Sequence, residues 1–96
     1  MTGKLLPAVQ LARIPGVYDD WLVCMVSTQV AQAVPDFDEV VQDSDPDFPT
    51  SGLNQTSVIR CGRLAVVDGS VLLGSIGEIG HERMERIRHR LREWLS

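Results

Sequence analysis

Three consecutive polar side chains, Ser27, Thr28 and Gln29, close an apolar run that starts at Trp21. Two hydroxyls and an amide at the open end of a buried strand are placed to bind or react with a polar ligand. The same residues also serve as caps and turn hydrogen-bonders, and on their own they read that way first. Most of the remaining chemistry is charge. Asp36, Asp38, Glu39, Asp43, Asp45 and Asp47 crowd one stretch, whereas seven of the nine basic residues come later, at Arg60, Arg63, Arg83, Arg86, Arg88, Arg90 and Arg92. An arginine-rich helix can contact phosphates, although a solvated face complementing the helix dipole is the more ordinary reading. The acidic stretch can remain solvated, bind a basic peptide, or hold the basic helix of its own chain. The net charge of −4 argues against indiscriminate nucleic-acid binding, but that average hides a sharp division between acidic and basic segments.

Other chemistries are poorly provided for. No metal-ligand set, phosphate-binding glycine loop or Ser-His-Asp arrangement can be assembled, so neither a metal nor an organic cofactor is expected. His81 and His89 are too far apart on one helix to share a ligand, and solvated roles are expected for both. Cys24 and Cys61 stand in apolar, strand-like runs without a neighbouring cysteine or histidine. They read as buried, reduced thiols of a cytoplasmic protein. The longest apolar run is strand-length, so no membrane span is expected, and Met1 to Leu6 lacks the apolar core of a signal peptide.

The elements that must position these groups read as mostly β, in one domain over residues 1–96. With 44% hydrophobic and 23% charged residues the chain is ordinary for a globular protein. Leu6 to Ile14 reads as a strand, and Pro15-Gly16 to Asp20 as the turn of a hairpin. Trp21 to Thr28 alternates two apolar faces, which predicts a central strand buried on both sides. Glu39 to Gln42 reads as a short edge strand guarded by charge, and Ser44 to Gly52 as a loop containing Pro46 and Pro49. Thr56 to Asp68 is a long β run in which Gly62 predicts a bend or bulge. Val71 to Ile76 is a further short element. Glu82 to Leu95 is a helix with an apolar stripe of Met84, Ile87, Leu91 and Leu95 and a Glu82–Arg86 pair one turn apart. Trp94 lies off the stripe, with packing against the barrel as its default role. Five or more short strands in a curled antiparallel sheet are expected. So small a chain carries apolar surface that it cannot cover, which predicts a homodimer.

The order of motifs resembles the PemK/MazF toxins of bacterial toxin–antitoxin pairs. The residues that carry the resemblance are Lys4-Leu5-Leu6-Pro7-Ala8-Val9, Trp21 to Gln29 and Phe48 to Leu53. Ser57-Val58-Ile59-Arg60, Arg63-Leu64, Asp68 and Ile76-Gly77 continue it. The resemblance implies an SH3-like β-barrel with one C-terminal helix, a two-fold homodimer and metal-independent endoribonuclease cleavage of single-stranded RNA. It also implies a cognate antitoxin peptide as partner, through which the pair reaches operator DNA. By the same resemblance Ser27 takes the reacting position at the end of the second apolar strand, hydrogen bonding the scissile phosphate. Thr28 and Gln29 would line the RNA groove. The family's catalytic arginine immediately precedes the strand proline, where this chain has Leu6, which cannot transfer a proton or stabilise charge. Lys4, on the same strand face two residues away, is the first substitute cation, and Arg60 or Arg63 can reach in from another strand. Family members also open with a strand and a loop ahead of the Lys4 segment. Either the start lies upstream of Met1, or one barrel strand is missing and leaves an edge for a partner to cover. The alternatives to a working ribonuclease are a catalytically silent module that binds protein, RNA or DNA, and a purely structural dimer.

Overall fold

A computed structural model describes residues 8–74 and 78–96. Four antiparallel strands form a single curled sheet: β1 (Ala8–Arg13), β2 (Asp20–Ser27), β3 (Glu39–Val41) and β4 (Ser57–Asp68), in the order β1-β2-β4-β3. A C-terminal helix packs across one face. The mostly β class with a terminal helix is as expected. Lys4, Leu6 and the Ile76-Gly77 step lie outside the described residues.

β2 has strand neighbours on both sides, and its alternation buries Val23 and Cys24 completely on opposite faces. The β1–β2 hairpin is closed by the Ile14 N–H donating to the Asp20 carbonyl at 2.8 Å, with Gly16 at φ 132° making the turn. β3 is the short edge strand the charge pattern predicts, paired among the described residues with β4 alone through Glu39–Ile59, Val40–Val58 and Val41–Ser57.

β4 serves two neighbours by bending. Arg60 lies opposite Met25, yet the adjacent Cys24 lies opposite Leu64, so Cys61, Gly62 and Arg63 bulge out of the ladder. A Cβ at Gly62 would stand 3.2 Å from Cε2 of Phe37, closer than side chains ordinarily pack, so any larger residue there requires the Phe37 ring to shift. The strand passes through this bulge unbroken. The short element expected from Val71 is, as far as Gly74, part of a 3-10 turn over Gly69–Gly74, held where the Asp68 carboxylate accepts the Ser70 N–H at 2.8 Å, and the rest of it lies outside the described residues. The described residues therefore carry four strands, not five or more.

A second correction concerns the proline-containing loop. Phe48–Ser51 forms a single helical turn, α1, because Pro49 sits in the first turn, where its missing N–H is not required. Gly52, at φ 77°, ends it in the left-handed region.

The long helix, α2, runs His81–Leu95. Ile87 is fully buried and Leu91 nearly so, against Val9, Leu11, Cys24, Ile59 and Cys61 of the sheet, with Met84 partly buried beside them. The stripe fails at its last member. Leu95 is 67% exposed, because α2 runs past the covered part of the sheet, while Arg83 is buried near the helix start. Both cysteines are free and buried, and burial pushes their thiols up to about 12 for Cys24 and about 11 for Cys61. Among the described residues, no helix is long and apolar enough to cross a membrane.

Candidate functional site

Ser27 ends β2 as a half-buried residue, and its Oγ accepts the Gln29 N–H at 3.0 Å. The turn-capping role expected of Ser27 is therefore real. It does not consume the hydroxyl, because an oxygen that accepts one hydrogen bond still has a proton to donate. Thr28 and Gln29 are exposed, and the chain passes directly into a 3-10 turn over Val30–Gln32.

Strand register decides which cation stands near this hydroxyl. Residues facing each other across an antiparallel pair, and residues two apart along one strand, project to the same side. Ser27 lies opposite Val58 and Met25 opposite Arg60, which makes Ser27 and Arg60 diagonal neighbours on one face. Such pairs are about 7–8 Å apart, within reach of long side chains. The face is the one turned away from α2, since the alternate residues Ile59 and Cys61 enter the helix-side core.

Arg60 is held from the side. Its Nη1 donates to Gln32 Oε1 at 3.4 Å, and its Nε lies 4.0 Å from Asp38 Oδ2. Asp38 is almost completely buried and accepts two backbone N–H groups, from Val34 at 2.9 Å and Cys61 at 3.0 Å. One carboxylate thus ties the end of the 3-10 segment to the β4 bulge and sits beside the arginine. Gln32 and Asp38 are site residues that the sequence reading missed. Asp38 was counted only as part of an acidic stretch. Gln32 had a faint signal, since it follows Gln29 by one 3-10 turn.

The other candidates are more dispersed. Arg63 is exposed in the β4 bulge, three residues beyond Arg60 and outside the regular ladder. Lys4 and Leu6 fall outside the described residues.

The arginine-rich helix is largely committed elsewhere, which corrects the expectation of a solvated face. Glu39, buried on the helix side, accepts from Arg83 Nη1 at 3.0 Å, from Arg86 Nη2 at 2.9 Å, and from Arg90 Nη1. Arg83 also binds Asp45 at 2.9 Å and Asp47 at 2.8 Å. Asp47 in turn accepts the Gly80 N–H at the start of α2, at 2.8 Å. The Arg83 hydrogen bond, with that backbone contact, holds the Asp47 carboxyl down at about 2. Arg86 reaches Glu39 and not Glu82, and its guanidinium is pushed above its ordinary value by that bond. His81 and His89 are exposed, as expected.

The model of the PemK-like, MazF-like toxin of type II toxin–antitoxin systems matches residues 4–95, nearly the whole chain. The chain belongs to this family. The match spans all four strands, the Ser27 end of β2 and α2. No curated relative matches the chain. Membership of the PemK/MazF-like toxin family implies an antitoxin as partner. The PemK/MazF-like fold here places a serine hydroxyl and an arginine on one sheet face, a pairing suited to gripping a phosphodiester.

Proposed function

We propose that this protein is the toxin of a type II pair and acts as an endoribonuclease of the mRNA interferase kind, cleaving single-stranded RNA without a metal. The observation that supports this best is the diagonal placement of Ser27 and Arg60 in a chain of this family. Arg60 takes over the role of the absent arginine at Leu6. Its guanidinium balances the charge that develops on the scissile phosphate, and the Ser27 hydroxyl donates to a phosphate oxygen. Thr28 and Gln29, exposed beyond the strand end, contact the flanking nucleotides. Lys4 and Arg63 provide further positive charge along the RNA path. The working unit is a homodimer, its antitoxin binds it as a peptide, and operator DNA is reached through that antitoxin.

The deciding experiment is cleavage of a single-stranded RNA by the purified protein with EDTA present. Ser27→Ala and Arg60→Gln are each expected to lower the rate about a hundred- to a thousandfold while circular dichroism stays unchanged. Leu6→Arg is expected to raise the rate. Full activity in Arg60→Gln would move the cation to Lys4 or Arg63.

One observation favours the silent binding module as second reading. Arg60 is already engaged by Gln32 and lies beside buried Asp38, which lowers its pull on a phosphate. RNA binding with no cleavage by either wild type or Leu6→Arg would select that reading.

A further inference from the structure

The side chain of Asp38 is 3% exposed, and both of its oxygens are taken by backbone. Oδ1 accepts the Cys61 N–H at 3.0 Å, and Oδ2 accepts the Val34 N–H at 2.9 Å. Cys61 opens the β4 bulge and has no strand partner opposite it among the described residues, so its N–H needs an acceptor from elsewhere. A neutral oxygen would meet that need. A buried carboxylate is the costlier choice unless a cation stands beside it. The cation in reach is Arg60, whose Nε lies 4.0 Å from Oδ2, an ion pair and not a hydrogen bond. Gln32 grips the same guanidinium from a second side, accepting from Nη1 at 3.4 Å. Its amide must present oxygen there, because a guanidinium only donates. Nη2 has no partner among the described residues.

We infer that Asp38 is a positioning residue of the proposed ribonuclease site: its locked carboxylate, aided by Gln32, holds Arg60 by Nε and Nη1 and leaves Nη2 for a phosphate oxygen. The inference rests on RNA cleavage through Ser27 and Arg60. Both holding residues belong to the stretch that continues from Ser27, Thr28 and Gln29 toward β3. That stretch is itself fixed, by the Gln32 N–H donating to the Gln29 carbonyl at 3.0 Å and by the bond from Val34 to Asp38. One buried carboxylate therefore sets the arginine and the segment beyond the serine in a common frame. An exposed arginine samples many rotamers, whereas one held before RNA arrives loses little freedom as the transition state forms. Asp38 itself is buried behind Arg60 and acts through it.

The test combines kinetics on single-stranded RNA with a spectrum that needs no RNA. Asp38→Asn is expected to lower kcat about ten- to a hundredfold while KM changes less than about threefold. Gln32→Ala should lower kcat in the same sense by a smaller factor, and, because Gln32 is exposed, it keeps the kinetic test open if Asp38→Asn does not fold. In an Arg60→Gln background neither substitution should lower kcat further, since the group they act through is gone. A merely structural role would reduce both backgrounds alike. Separately, the Nε–Hε nuclear magnetic resonance signal of Arg60, identified by its loss in Arg60→Gln, should be resolved in the wild type. In Asp38→Asn or Gln32→Ala it should move toward the position of free arginine. Cleavage raised by Asp38→Asn, equal losses in the two backgrounds, or an Arg60 signal unmoved by either variant would overturn the inference. A wild type that cuts no RNA would instead overturn the proposed function, and the spectrum would still decide whether Asp38 holds the arginine.

Discussion

Glu39 is the residue on which the union of sheet and helix turns, and replacing it gives the sharpest test of the structure. The residue is 5% exposed, and its carboxylate is shared by Arg83, Arg86 and Arg90. Glu39→Ala leaves the buried cluster with one uncompensated positive charge, and breaking a buried pair in this way costs about 3–5 kcal/mol. The lower end applies here. Arg83 retains Asp45 and Asp47, Arg90 retains the carbonyls of Phe37 and Asp38, and Arg86 is 47% exposed and can turn to water. A loss of about 3 kcal/mol is a large part of the roughly 5–15 kcal/mol available to a domain of this size. It would lower the melting temperature by about 12–24 °C, at about 4–8 °C per kcal/mol. Glu39→Gln keeps an acceptor oxygen and should lose about half as much. Urea titration at neutral pH, with melts followed by circular dichroism, reads both variants. Exposed Asp43→Asn is the control, expected to stay within about 0.5 kcal/mol. If Glu39→Ala cost less than about 1 kcal/mol, the cluster would be behaving as a hydrated surface pair and the buried network would be refuted.

Three further outcomes follow from other parts of the fold. The folded-state carboxyl of Asp47 lies at about 2, below its ordinary 3.8, so its contribution is present above about pH 4 and disappears as pH falls toward 2. Urea midpoints should show about 2 kcal/mol lost over that window in the wild type and a flatter profile in Asp47→Asn. Gly62→Val should push the Phe37 ring, and with it the edge-to-face contact to Trp94 at 5.4 Å, lowering stability by about 1–3 kcal/mol. Tryptophan emission should shift in step, and an unchanged spectrum with unchanged stability would contradict the packing. The thiols of Cys24 and Cys61, raised by burial to about 12 and about 11, should resist a thiol reagent in the native protein and react only in denaturant.

Much of the fold can be read from the chain alone, because local pattern and burial agree there. The double apolar alternation from Trp21 onward dictates a central strand, and β2 is paired on both sides. The three-and-four spacing around Ile87 and Leu91 dictates a helix with one buried side, and α2 buries those two residues. Gly62 within a β run dictates a break in the ladder, found as the Cys61–Arg63 bulge. The order of motifs carried the family as well.

Long-range pairing was beyond the sequence for a physical reason. An acidic stretch and a basic helix attract each other in any arrangement that brings them close. Only the sheet, by setting Glu39 on its helix side, decides that Arg83, Arg86 and Arg90 meet it while Arg88 and Arg92 do not. The helical period places Leu95 on the same stripe as Leu91, but where the sheet surface ends is a property of the assembled layers, and Leu95 runs past it. The same holds for the candidate site. Ser27 was legible from its place at the end of an apolar run. The nearness of Arg60 depends on a register across β2 and β4 that a slip of one residue would reverse, placing the arginine on the other face.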